Sequence, residues 1–543
     1  MIKICVTYLV MNSVLFVQLL YPIVAFSQNQ VTIQSPNNTI DSKKIEPELG
    51  GSLPILLPDL GDNSSSNLSD IDEKKLGEKI IREIRKDPDY SNNWLMYDYI
   101  NQLGQNLVSS ARSQKISGAD ASGPFAPSFE FFVVKDKTIN AFALPGGYIG
   151  IHTGLLTLAE SESELASVLG HEIGHVTQKH IARGMGFGRE SSTLMLAAML
   201  LAALAVKNNP NAAQGLAVGG QALAIQNQLS YSRSAEREAD RIGFQILQAS
   251  GFEVSGMPGF FQKMQKATSI SDSGIPAYVR THPLSLERAA DMQNRIRDQD
   301  AGKPNISLEF YLVQTLAKLE QQGGPSEIVE TKQYFQEQTN SKSLIKNMQG
   351  YYGLANIAIA EKKSQEATML LKKSREIANS IEQSNPQLKK STTFFEITGI
   401  QIAMLLGNFN QVSSATLSLL KTNSNYRSLN VLYIESLLSA GKKKEAMTWL
   451  ENKTKIDKSN SLWWNYLAKL YQQENKLALY HAIVAEKYVS EGALPAAIQQ
   501  LKIASEMSGN NFYQSSELEA RKRQIEMLYK EDLIESGRLE RRP

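Results

Sequence analysis

The run Glu164-Leu165-Ala166-Ser167-Val168-Leu169-Gly170-His171-Glu172-Ile173-Gly174-His175 decides both the fold around it and the chemistry it can carry. It is apolar, rich in small residues and helical in pattern, and positions four apart on a helix differ by only about 40° around the axis. His171 and His175 therefore face one point from successive turns, as a two-toothed metal clamp. Glu172 follows the first His directly, which puts it beside the metal's open position without making it a ligand, where it can take a proton from bound water. A zinc ion there would lower the water's pKa and polarise a peptide carbonyl, and the Glu would return the proton to the leaving amine. The chain has six His, so an HExxH in this context is not expected by chance.

A catalytic zinc needs a third protein ligand and one vacant position. The stretch Ser234-Ala235-Glu236-Arg237-Glu238-Ala239-Asp240-Arg241 offers Glu236 and Asp240, four apart and on one helix face. The first can bind metal while the second, a turn on, hydrogen-bonds a ligating imidazole. Alone, such a pair reads as a solvated face partnered by Arg237 and Arg241; beside an HExxH it reads as a site. Glu238 is expected to be neutral to metal binding. His180, five residues past His175, falls about 140° round the same helix and is read as packing on a second face. His152 is read as a strand-end or core His, His481 as a repeat-region His with no partner, and Arg288 as a surface Arg or, alternatively, a group that orients an oxyanion.

These motifs, with Asn140-Ala141-Phe142-Ala143-Leu144-Pro145-Gly146-Gly147, His152-Thr153-Gly154-Leu155-Leu156 and Thr281-His282-Pro283, resemble peptidase family M48, the family of HtpX and the CAAX-prenyl proteases. Within it they are most similar to the BepA-type periplasmic proteases, which join the catalytic domain to tetratricopeptide repeats. The resemblance covers about Asp70 to Arg295 by motif and the rest by architecture. It implies His171, His175 and Glu236 as zinc ligands, Glu172 as the base and Asp240 as a supporting group. It also implies periplasmic protein substrates, with outer-membrane assembly intermediates among them. Gly147-Tyr148-Ile149-Gly150-Ile151 is read as an edge strand on which an extended substrate pairs by main-chain hydrogen bonds, or else as a tight hairpin that simply needs Gly. His282 sits where BepA-type proteases carry a His. It is read as a fourth ligand that keeps the resting site latent, or as a loop His that bonds the next helix start or stabilises the tetrahedral intermediate.

Around this core the chain divides by texture. A single Lys3 and an apolar run from Ile4 to Phe26 predict a signal peptide over 1–27, cleaved after Ser27 and sending the protein to the periplasm, with a retained anchor as the alternative. Cys5, the one cysteine, lies inside it, so the mature chain would have no disulfide. Residues 28–69 read as a disordered linker, 70–304 as an α+β, mostly helical zincin-like metalloprotease domain, 305–530 as an all-α TPR-like solenoid and 531–543 as a polar tail. Two or three short strands are expected between Phe129 and His152, joined as hairpins. Thr193 to Val206 is apolar but too short to span a bilayer, and reads as a buried helix, a lid or a peripheral membrane contact. In the second half, Gly407 and Gly441 are 34 residues apart but Gly441 and Gly492 are 51 apart, so only one interval has the length of a tetratricopeptide repeat. Stacked helical pairs, or else an irregular helical domain, would bind substrates or dock on the outer-membrane assembly machinery.

At 543 residues, two folded domains are expected. A hydrophobic fraction of 42%, a charged fraction of 21% and a net charge of +2 argue against wholesale disorder and against a nucleic-acid partner. The rival to a zinc endopeptidase is a chaperone-like adaptor that works through the repeats. An intact Glu172 argues against it, because a structural zinc needs no base.

Overall fold

A computed structural model describes residues 69–119, 127–184, 233–270, 276–297, 307–385, 388, 392–509, 511–535 and 539. All of them belong to one compact unit, Asn63–Pro543. The expected signal peptide and the apolar segment 193–206 lie outside the described residues.

Two amphipathic helices open the fold, Asp70–Ile84 (α1) and Trp94–Ser113 (α2). Three strands follow, Glu130–Val134 (β1), Ala141–Leu144 (β2) and Tyr148–His152 (β3), in the order β1-β3-β2. β3 runs parallel to β1 and antiparallel to β2. The expectation of an edge strand over Gly147–Ile151 is therefore corrected. β3 is the middle strand, with Ile149 paired to Phe131 on one side and Ala143 on the other, so its main chain is already used. Local patterning shows where strands are; it does not show their order.

A short helix, Thr153–Leu158 (α3), leads into Glu162–Thr177 (α4). The Ser161 hydroxyl caps α4 by accepting from the Glu164 N–H at 3.2 Å. Every residue of α4 is buried, as a helix apolar on most faces requires. After His180–Gly184 (α5) comes Arg233–Ala249 (α6), which crosses α4 at glycines. A Cβ on Gly174 would stand 3.0 Å from the Ala239 carbonyl oxygen, and one on Gly243 would stand 2.9 Å from the His171 nitrogen. Without side chains there the two backbones can touch, and that contact brings Glu236 and Asp240 up to the histidines. Gly256–Ile270 (α7), Ala277–Thr281 (α8) and Leu286–Arg297 (α9) complete this half.

The second half is all-α. Leu308–Glu320 (α10) packs on α3 and α2. Then follow Pro325–Gln338 (α11), Leu344–Ala360 (α12), Ser364–Ser384 (α13), Thr392–Leu405 (α14), Phe409–Leu420 (α15) and Arg427–Ser439 (α16). Lys443–Ile456 (α17), Ser461–Gln473 (α18), Leu477–Ser490 (α19), Leu494–Met507 (α20) and Phe512–Glu535 (α21) are the remaining described helices. The last helix runs into the segment expected as a polar tail.

The repeat is more regular than its glycines suggest. The left-handed turn residues Gly407, Gly441 and Asn475, with φ of 77°, 74° and 55°, each lie 34 residues after the one before. Each joins the two helices of one hairpin. Gly492 joins one hairpin to the next and so falls half a period out of step. Asn tolerates the left-handed conformation that glycine takes freely, which is why a search on glycine alone misses the third turn. Ala446 and Ala497, early in the second and first helices of their hairpins, are fully buried.

One hydrophobic cluster runs from Leu95 in α2 to Tyr471 in α18, so the change of architecture near residue 305 is not a break in the core. A polar seam reinforces it. Asp98 of α2 accepts from the Arg427 and Ser428 N–H groups at 2.7 and 2.9 Å and from the Ser428 hydroxyl at 2.5 Å, at the N-terminus of α16. The Arg427 guanidinium lies 3.9 Å from the centre of the Tyr97 ring and donates to its hydroxyl at 2.9 Å. At the other end of the solenoid Lys79 of α1 pairs with Asp532 at 2.8 Å.

Candidate active site

Four side chains from three elements converge: His171 and His175 from α4, Glu236 from the first turn of α6, and His282 just after α8. One ligand-type atom from each lies within 4.8 Å of all the others, and all four residues are buried. His171 Nε2 and His175 Nε2 are 2.9 Å apart. Glu236 reaches them through Oε2 and Oε1 at 3.5 and 3.4 Å. His282 Nδ1 lies 3.3 Å from His171 Nε2 and 3.1 Å from Glu236 Oε1. A tetrahedron with bonds of about 2.0–2.1 Å has edges of roughly 3.3–3.4 Å, so this donor set already has the size a small divalent cation requires.

Charge points the same way. Glu172, Glu236 and Asp240 are buried carboxylates, and one buried guanidinium, Arg288, reaches the last two of them. With all ionised, two negative charges are left over, and buried charge needs a partner. The excess shows in His171: burial alone would pull its imidazole down, yet the Asp240 and Glu236 carboxylates push it up to about 9. Burial would raise Glu236, but the surrounding imidazoles hold it well below the usual carboxylate range. His175 is driven well below the ordinary histidine value, chiefly by burial.

Glu172 stands apart from these four. It is fully buried, and its polar neighbours are the Ala143 backbone and His282 Nε2, 3.4 Å from Oε1. Burial raises its carboxyl above the ordinary value, while the neighbouring His282 and His171 pull back. A buried carboxyl of raised proton affinity beside a cluster of metal-ligand-type side chains is a candidate for proton transfer.

The model of peptidase family M48 matches residues 106–296. The chain is 31% identical over 475 residues to the beta-barrel assembly-enhancing protease of Escherichia coli, covering 87% of this chain and 91% of that protein. The chain belongs to peptidase family M48. It is also 38% identical over 269 residues, about half of each chain, to a putative beta-barrel assembly-enhancing protease of Vibrio cholerae. A mitochondrial metalloendopeptidase OMA1 of Arabidopsis thaliana shares 32% identity over 162 residues, 30% of each chain. The M48 site is thus a metallopeptidase site of the HExxH type.

The structure of this M48 peptidase also supplies residues that sequence reading placed elsewhere. Arg288 is no surface residue: Nε and Nη2 bond the two Asp240 oxygens at 2.6 and 2.8 Å, and Nη1 lies 2.7 Å from Glu236 Oε2. It fixes Asp240, whose Oδ1 in turn lies 2.9 Å from His171 Nδ1. His282 is not on a free loop. Its backbone N–H donates to the Tyr278 carbonyl at 2.8 Å and its ring stacks on the buried Tyr278 ring at 4.6 Å. His152 ends β3 beside Thr138, 2.9 Å from its hydroxyl, and His481 has a partner after all in Gln500 at 2.7 Å.

Proposed function

We propose that this chain is a zinc-dependent endopeptidase of the bacterial periplasm that clears β-barrel proteins caught during outer-membrane assembly, with the helical repeats selecting the substrate or docking on the assembly machinery. The observation that carries this reading is that 31% identity runs through both halves, catalytic and repeat, to a protease named for β-barrel assembly. His171, His175 and Glu236 would hold the ion and Asp240 would orient His171. Bound zinc supplies Lewis acidity, polarising a peptide carbonyl and making water a better acid. Glu172 takes the proton from the attacking water and returns it to the leaving amine, and its raised proton affinity suits a group that must do both. Among the described residues the unpaired sheet edge near α4 belongs to β2, so an extended substrate is assigned to Ala141–Leu144 in place of β3.

His282 lies among the ligands, and this supports a latent resting state in which the imidazole fills the position that water needs. At equal zinc occupancy, His282→Ala should then cleave substrate or itself faster. A slower variant with unchanged metal would refute latency and make His282 a catalytic group. The wider reading is tested in cells: Glu172→Gln should let unfinished outer-membrane β-barrels accumulate, and an unchanged envelope proteome would contradict it. A chaperone-like adaptor remains the second reading only for the resting state, since Glu172 is retained.

A further inference from the structure

His175 and His180 belong to two helices, because the chain leaves α4 at Thr177 and Lys179 takes a left-handed φ of 53° before α5 begins. This bend turns His180 back toward the site. Its Nδ1 lies 2.9 Å from His175 Nδ1, and its Nε2 lies 2.9 Å from Glu238 Oε2. Arg183 Nη1 holds the same Glu238 oxygen at 3.0 Å. His180 is itself buried, with its imidazole 1% exposed, whereas the Glu238 side chain is 29% exposed.

We propose that His180 and Glu238 are positioning residues for the metal, a relay that fixes the tautomer and orientation of His175 as Asp240 fixes those of His171. The inference rests on the metal-site reading and extends it. His175 Nε2 faces His171 and Glu236, so Nε2 is the nitrogen given to the cation. The ring proton must then sit on Nδ1 and be donated to His180 Nδ1. His180 in turn carries its proton on Nε2 and donates it to Glu238. Each ring is left with one tautomer. The two ligand histidines thus each end on a carboxylate held by an arginine, directly through Asp240 and Arg288 in one case, and through one extra imidazole to Glu238 and Arg183 in the other. Partners of this kind typically account for 10–100-fold in metal affinity. Glu238, expected from sequence to be neutral, would not be.

The test is zinc affinity of the full chain, measured by competition with a chelator of known affinity, together with the visible absorption of the Co²⁺-substituted protein. Glu238→Ala should weaken zinc about tenfold and shift the cobalt bands, while Glu238→Gln, which keeps an acceptor for His180 Nε2–H, should recover most of the loss. The partly exposed Glu238 side chain can be changed without opening the core; His180→Ala should show a larger loss if it folds. Unchanged affinity and spectrum in Glu238→Ala would overturn the relay, as would a loss in the Gln variant equal to that in the Ala variant. Lower thermal stability with unaltered zinc affinity would reduce the pair to packing and overturn it too. Failure of the underlying site would look different, as a wild-type protein that binds no zinc.

Discussion

Asp98 in the seam and Glu172 in the candidate active site are both carboxylates taken out of water, and burial raises the proton affinity of each, but the fold surrounds them differently. Asp98 receives three hydrogen bonds from the start of α16 and has the Arg427 guanidinium nearby. Glu172 has only the Ala143 backbone and the His282 imidazole, 3.4 Å away, as polar neighbours. Donors are supplied where a charge is there to hold two halves together. Around Glu172 the neighbours are imidazoles, and burial leaves its carboxyl with the raised proton affinity that suits a group proposed to exchange a proton. The same contrast separates Arg427, packed on aromatic rings, from Arg288, engaged with Asp240 and with the proposed metal ligand Glu236.

Substitutions at the two carboxylates should break the comparison in different observables. Glu172→Gln should lower peptide cleavage by about 10²–10⁴-fold, the usual contribution of a general base, with little change in thermal stability. Stripping zinc with a chelator should lower the unfolding midpoint, by the equivalent of about 4 kcal/mol when zinc had been present at a thousand times its dissociation constant; no shift would mean that the ion does not bind the native state. Asp98→Ala should cost about 3 kcal/mol in urea unfolding, because it leaves buried donors at the seam without an acceptor. Its zinc content should stay at the wild-type level, and a metal-poor variant would mean that seam and site are not separate.

A smaller effect comes from pH. Burial pushes the Asp98 carboxyl up to about 6, although its Ser428 and Arg427 donors pull the other way. Its folded value then lies above that of the unfolded chain. Its contribution is present in full below about pH 4 and is lost as pH rises through about 6, on the order of 3 kcal/mol. Measured between pH 4 and 6, the stability of the wild type relative to Asp98→Asn should fall as pH rises. A flat difference would show that Asp98 has an ordinary carboxylate pKa in the fold.

What could be read in advance follows from how local each feature is. The α4 clamp and the Glu236–Asp240 pair are set by spacing within one helix, and the structure brings both to one point. Arg288 and His282 act on residues roughly fifty or more positions away, so no spacing rule reaches them. His180 was misplaced because a helical extrapolation carries straight on, whereas the backbone turns at Lys179. β3 was placed at an edge because strand order depends on a crossover and not on the strand's own residues. The 34-residue period was half hidden because one of its turns uses Asn475 in place of glycine. The seam was invisible for a further reason: Asp98 and Ser428 are each unremarkable until the solenoid closes on α2.

The central claim is that His171, His175 and Glu236 hold the ion while Glu172 does not. Metal analysis of three purified full-length proteins tests it most directly: wild type, Glu172→Gln and Glu236→Ala, each exposed to the same limiting zinc. The account predicts about one zinc per chain in the first two and a clear deficit in the third, following the three-ligand requirement of a catalytic site. A zinc-free Glu172→Gln protein, or a Glu236→Ala protein as fully loaded as the wild type, would contradict it.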